Sequence, residues 1–79
     1  MAHYYLHLHE NGSVLEDPDG RDFVSLDAAI NLAVLSARDV MAGDLLTGKL
    51  CLSHSISIVN IAHTEVARVK FRDAVVLTE

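Results

Sequence analysis

The hydrophobic positions change period twice along the chain. From His3 to Glu10 they alternate: Tyr4, Leu6 and Leu8 fall on one side, and His3, Tyr5, His7 and His9 on the other. A period of two marks a strand with one buried face. From Leu26 the period lengthens. At about 100° per residue, Leu26, Ala29, Ile30, Ala33, Val34, Ala37, Val40 and Met41 gather on one stripe, which predicts an amphipathic helix. The period of two returns at His54 to Val59, with Ile56 and Ile58 on one side. It recurs at Val66 to Phe71, where Ala67, Val69 and Phe71 oppose Arg68, Lys70 and Arg72.

Turn residues separate these segments. Asn11-Gly12 is a two-residue hairpin signal, because both turn positions favour positive φ. Ser13 to Glu16 is then a short return strand. Asp17-Pro18-Asp19-Gly20 has the composition of a type I turn. Arg21 to Val24 leads into the helix, with Phe23 packing beneath it. Ser25 is a good N-cap, and Asp27 places negative charge at the positive end of the helix dipole. Gly48 is placed to end the helix in a left-handed conformation. Asn60 to Thr64 is the turn of a second hairpin. The order hairpin, helix, hairpin predicts an α+β fold: an antiparallel β-β-α-β-β sheet with one long helix packed on one face.

Two features of the helical stretch do not fit a simple cover. Some 22 residues span about 33 Å, whereas strands of six or seven residues span about 20–23 Å. The helix therefore outruns the sheet. Either it breaks near Gly43, which costs about 1 kcal/mol relative to alanine, or its last turn projects past the sheet. The outer face also carries Leu32, Leu35 and Leu46 among Asn31, Arg38 and Asp39. These leucines are the expected contact surface for a second copy of the chain, making a homodimer.

Composition sharpens this expectation. The chain has 79 residues, 51% of them hydrophobic and few aromatic. That is one small domain with an aliphatic core, and such domains are marginal alone. A net charge of −5 argues against a nonspecific nucleic-acid binder. No apolar run approaches the roughly 20 residues of a membrane span. The N-terminus lacks the basic and apolar regions of a signal peptide, so a cytoplasmic protein is expected. The single cysteine, Cys51, excludes an intramolecular disulfide and reads as a small core residue.

The motifs Tyr4-Tyr5-Leu6-His7-Leu8-His9, Asn11-Gly12, Asp17-Pro18-Asp19-Gly20 and Leu26-Asp27-Ala28-Ala29 resemble those of an uncharacterised family of short, mainly alphaproteobacterial proteins. The resemblance is strongest in Ile56 to Asn60 and in Glu65 to Val75, and covers nearly the whole chain. It implies a bacterial cytoplasmic protein and transfers no catalytic residue. Two departures stand out. Relatives usually have glycine where His63 stands, and a more charged outer helix face than Leu32 and Leu35 allow. A looser likeness is to the HicB-type antitoxins, which also place a tyrosine-rich strand before a hairpin and an alanine-rich helix.

Candidate chemistry is sparse. His7 and His9, two apart on one strand face with His3, are spaced to approach one metal ion, with His54 or His63 as a third ligand. The plainer reading is a polar, solvated face. Asp17, Asp19 and Asp22 do not make an EF-hand loop, since Ala28 stands where a closing glutamate is needed. Ser53, Ser55 and Ser57 lack a nucleophile-elbow context and read as the polar face of their strand. Arg68, Lys70 and Arg72 form a basic stripe suited to protecting a sheet edge or to meeting an acidic ligand. Nothing assembles a catalytic constellation, and no cofactor is implied. The expectation is a non-enzymatic interaction or regulatory module that self-associates. A small-ligand or metal-binding protein using the histidine face is the alternative.

Overall fold

The computed structural model describes residues 1–78. Strand β1 (Ala2–Glu10) turns at Asn11-Gly12 into β2 (Ser13–Leu15). Asn11 and Gly12 both have positive φ, at 34° and 84°, as the tight hairpin requires. After a loop, β3 (Arg21–Phe23) precedes helix α1 (Leu26–Leu45). Strands β4 (Ser55–Asn60) and β5 (Glu65–Lys70) form the second hairpin, and a 3₁₀ turn (Phe71–Asp73) follows. All pairings are antiparallel. β1 and β4 are central, β5 is one edge, and β2 and β3 share the other.

The sharing is the main difference from the expected pattern. β2 pairs with Leu8 to Glu10, and β3 pairs with Ala2 to Tyr4. Arg21 to Phe23 is therefore a strand and not a lead-in to the helix. Three residues are too few to show a period. What they add is a partner for the half of β1 that the hairpin leaves unpaired.

The helix begins as expected. Ser25 is extended, at φ −161°, and its hydroxyl accepts from the Ala28 N–H at 3.2 Å. It does not break at Gly43. It is continuous to Leu45, and a Cβ at Gly43 would meet nothing within 4 Å. Met41 is its last buried residue, so the final turn projects beyond the core. The turn closes through the Asp44 carbonyl, which accepts from the Thr47 and Lys49 N–H groups, each at 3.0 Å.

The core lies between α1 and one sheet face. Ala29, Ala33 and Ala37 are fully buried against Ile56, Ile58, Val69 and Phe71. Three alanines in a row let the helix backbone approach the sheet, and the larger side chains then come from the strands. Leu26, Ile30, Val34 and Val40 flank that stripe as half-buried neighbours. Phe23 is buried at the edge of the core. Cys51 is not in the core: it is half-buried, and its thiol shares a 3.2 Å hydrogen bond with the Ser53 hydroxyl.

Candidate ligand-binding face

Helix α1 covers one sheet face. The other carries the alternate residues: His3, Tyr5, His7 and His9 from β1, Ser55 and Ser57 from β4, and Arg68 and Lys70 from β5. Most of these groups are fixed by specific bonds.

His3 is held at both ring nitrogens. Nδ1 lies 2.7 Å from an Asp22 carboxylate oxygen, and Nε2 lies 2.8 Å from the Asp19 carbonyl. Both partners can only accept, so both nitrogens must donate, and the geometry selects the imidazolium. The Asp22 hydrogen bond, reinforced by the Asp19 carbonyl, raises the His3 pKa above the ordinary imidazole value. His9 behaves oppositely. Burial, with the positive charge of Arg68 next, lowers its pKa, and its Nε2 shares a 2.8 Å hydrogen bond with Ser57.

These shifts have opposite signs in stability. The His3 contribution is fully present below the ordinary imidazole pKa and is lost as pH rises through the folded value. The His9 contribution is present above the ordinary value and is lost as pH falls through the folded one. In a ¹H NMR titration, the His3 ring protons should titrate above those of a free imidazole and those of His9 below. Replacing Asp22 with Asn should bring His3 back toward the free value and leave His9 unmoved. Coincident titrations in the folded protein would contradict this assignment.

Asp17 fills the gap between β2 and β3. Its carboxylate accepts from the Leu6 N–H at 3.3 Å and from the Gly20 N–H at 3.1 Å. Its own N–H donates to His7 Nδ1 at 3.0 Å. The side chain thus supplies an acceptor where β1 has no strand beside it. Tyr5 stands between two histidines. It meets His3 edge-on, with ring centroids 5.1 Å apart, and stacks nearly parallel to His7 at 6.3 Å.

Ser55 and Ser57 lie on the polar face of their strand, as their alternation predicts, and both are buried. Long neighbours cover them. Arg68 donates from Nη1 to Ser55 Oγ at 2.7 Å, and grips Glu65 through Nε and Nη2 at 3.1 and 2.7 Å. That pairing holds the Glu65 carboxyl below the usual carboxylate range.

The histidines do not converge on a metal site. His7 Nδ1 already accepts a backbone N–H. A metal at Nε2 would put a proton on Nδ1, facing that donor. His9 Nε2 is engaged by Ser57. His54, one of the two alternative third ligands, is buried against the core. Its ring meets Phe71 edge-on at 5.5 Å, and neither ring nitrogen has a hydrogen-bond partner. The nearest carboxylate oxygen, on Glu10, is 3.8 Å away. Among the described residues no group of three ligating side chains could hold a metal ion. His63 does reach the open face. It lines a cavity of about 320 Å³ with Tyr5, His7, Glu16, Asp17 and Pro18. It has φ +62°, the left-handed conformation that a glycine would take without strain.

A second cavity of about 320 Å³ lies at the other end of the face, lined by Ser53, Ser55, Arg68, Lys70 and Arg72 among others. It adjoins a third, of about 430 Å³, beside the Asn11-Gly12 turn, with Ser53, Ser55 and Arg68 common to both.

The outer helix leucines divide. Leu35 is 55% exposed and Leu46 is 89% exposed, whereas Leu32 is half-buried and packs against the core. Among the described residues no helix is long and apolar enough to cross a membrane.

A family model for a domain of unknown function, DUF6894, matches residues 3–72. The chain belongs to that family. The DUF6894 match spans every strand, the helix and both ends of the open face. Its description assigns no activity. No curated protein and no solved structure matches the chain.

The roles of Asp17 and Asp22 in this DUF6894 chain are not legible locally. Both look like turn residues, and their partners lie 11 and 19 residues away in the chain. The one signal is indirect: nine residues of β1 cannot be satisfied by a three-residue hairpin partner.

Proposed function

We propose that this chain is a small, non-catalytic binding module that takes a polar ligand on the helix-free face of its sheet. The observation that carries this reading is the preorganisation of that face. Its histidines, buried serines and Arg68 are pinned by hydrogen bonds, yet among the described residues no element covers them, and cavities open at both ends. A face held rigid before a ligand arrives loses little entropy on binding it.

Amide-resolved NMR tests the reading. Inorganic phosphate, citrate, zinc chloride and spermidine are titrated separately at matched ionic strength. At least one should shift the amides of β1, β4 and β5 saturably. If none does, or if only outer amides of α1 respond, the open face is not the working surface.

A second reading is favoured by the exposure of Leu35 and Leu46 and by the projecting last turn of α1. The chain would then self-associate as a homodimer through the outer side of the helix. Sedimentation at high micromolar concentration should show a dimer that Leu35→Glu/Leu46→Glu dissociates. A monomer throughout would eliminate this reading.

A further inference from the structure

The cations of β5 and the serines of β4 face one another. Ser57 is in register with Arg68, and Ser55 with Lys70. β5 ends there: the Phe71 N–H still donates to the His54 carbonyl at 3.0 Å, and Arg72 lies in the 3₁₀ turn that follows. Two hydroxyls thus stand across from two cations. Ser53, Ser55, Arg68, Lys70 and Arg72 line one cavity of about 320 Å³. Half of the six Lys and Arg residues of an acidic chain meet at this place.

Edge protection accounts for the charges on β5 but not for this arrangement. Arg68 is already neutralised by Glu65. Lys70 and Arg72 are exposed, and among the described residues no carboxylate lies within 4.0 Å of either. Ser55 adds a second, independent indication. Its side chain is buried and its oxygen accepts from Arg68 at 2.7 Å. The hydroxyl proton therefore points elsewhere, and among the described residues it has no acceptor. The cavity beside it supplies the space for one.

From this juxtaposition we propose that the cavity between Ser53, Ser55, Lys70 and Arg72 binds the oxyanion of a small phosphate-class ligand. Lys70 and Arg72 supply the charge, and the fork of Arg72 suits two oxygens at once. Ser55 donates its free proton to a third. Arg68 does not take the ligand directly; tied to Glu65, it orients Ser55. The occupant is small. A polyanion would have to lie against a protein of net charge −5, which repels it beyond the reach of two cations. This inference rests on the open face being the working surface, and names the ligand class at one end of it.

The test uses the intact chain and inorganic phosphate, followed by ¹H–¹⁵N NMR, with sodium chloride at matched ionic strength as control. Saturable shifts are expected at Ser53 to Ser55 and Lys70 to Arg72, and not in chloride. Lys70→Ala/Arg72→Ala should weaken binding at least tenfold. Both side chains are exposed, so the fold is retained and the amide spectrum confirms it. Ser55→Ala should weaken binding several-fold without changing the residues that respond. Titration with adenosine monophosphate and with a single-stranded DNA decamer separates the sources. Tighter binding of the monophosphate than of phosphate supports a small phosphate ester. A decamer that binds tightest, with steep salt dependence, overturns the proposal in favour of nucleic acid. Shifts equal in chloride, or unchanged in the double variant, also overturn it. If phosphate fails while citrate, zinc or spermidine still shifts the Tyr5–His7 end, the anion site is wrong and the open-face reading survives.

Discussion

Replacing Gly20 with alanine should cost about 3–5 kcal/mol of stability, the sum of a strained backbone and a forced local shift. Gly20 has φ +66°, where a side chain is strained whatever the space around it. There is no space either. A Cβ would lie 2.6 Å from His3 Nε2, 2.8 Å from the Tyr4 carbonyl oxygen and 2.8 Å from the Tyr5 ring. The Tyr4 carbonyl is sheet backbone and cannot swing aside. The His3 ring can move only by giving up its bond to the Asp19 carbonyl. A chain of this length holds on the order of 4–12 kcal/mol in total, so the variant should be partly unfolded at moderate temperature. Gly12→Ala is the internal control. Its φ is +84°, but a Cβ there would meet nothing within 4 Å, so it should lose only about 1 kcal/mol for the conformation. Urea denaturation of both variants decides the matter. Equal losses would mean that the close approach at Gly20 carries no energy.

Asp17→Ala is the second large effect, at about 2–3 kcal/mol. The substitution removes one carboxylate that accepts from two backbone N–H groups, those of Leu6 and Gly20. Hydrogen bonds to a charged acceptor contribute about 1.5–3 kcal/mol, and the abandoned Leu6 donor lies on a strand edge with no neighbour at that point. In a domain this small each kcal/mol moves Tm by about 4–8 °C, so a fall of about 10 °C or more is expected. Asp17→Asn keeps an acceptor oxygen but loses its charge, and should fall between the wild type and Asp17→Ala. Hydrogen exchange localises the loss. Protection should drop first at Leu6 and along β3, with β4 and β5 unaffected. Uniform loss across the sheet would show that Asp17 supports the fold by some other route.

Asp17 and Gly20 belong to one loop whose partners lie outside it. Asp17-Pro18-Asp19-Gly20 has the composition of a turn, and it is one. Yet a turn motif describes four consecutive residues, and the energetically important partners here are on β1. The carboxylate of Asp17, the carbonyl of Asp19 and the missing Cβ of Gly20 all act on residues 3 to 6. Short polar side chains bond locally by default. Only the position of β1 beside the loop redirects them.

The open face shows the same division. Alternation placed His3, Tyr5, His7 and His9 together, and likewise Arg68, Lys70 and Arg72. It did not set the register between β4 and β5 that puts Arg68 and Lys70 opposite serines, or the 3₁₀ turn that carries Arg72. Nor did it reveal that His54 belongs to the core, since its neighbours Ser53 and Ser55 suggest a polar segment. Burial of Ser55 and Ser57 depends on Arg68 and His9 lying over them, and that requires three strands in their final order.

By itself the sequence determined what nearest neighbours along the chain can enforce. It set the two hairpins, the helix with its serine cap and alanine stripe, the glycines of the turns and the α+β class, because period and turn chemistry act over a few residues. The tertiary structure decided the rest. It added β3 on the edge of β1, kept α1 continuous through Gly43, sent His54 inward and brought Lys70 and Arg72 to one cavity with Ser53 and Ser55. Those outcomes depend on which strand lies beside which, and that is set by packing the whole core at once.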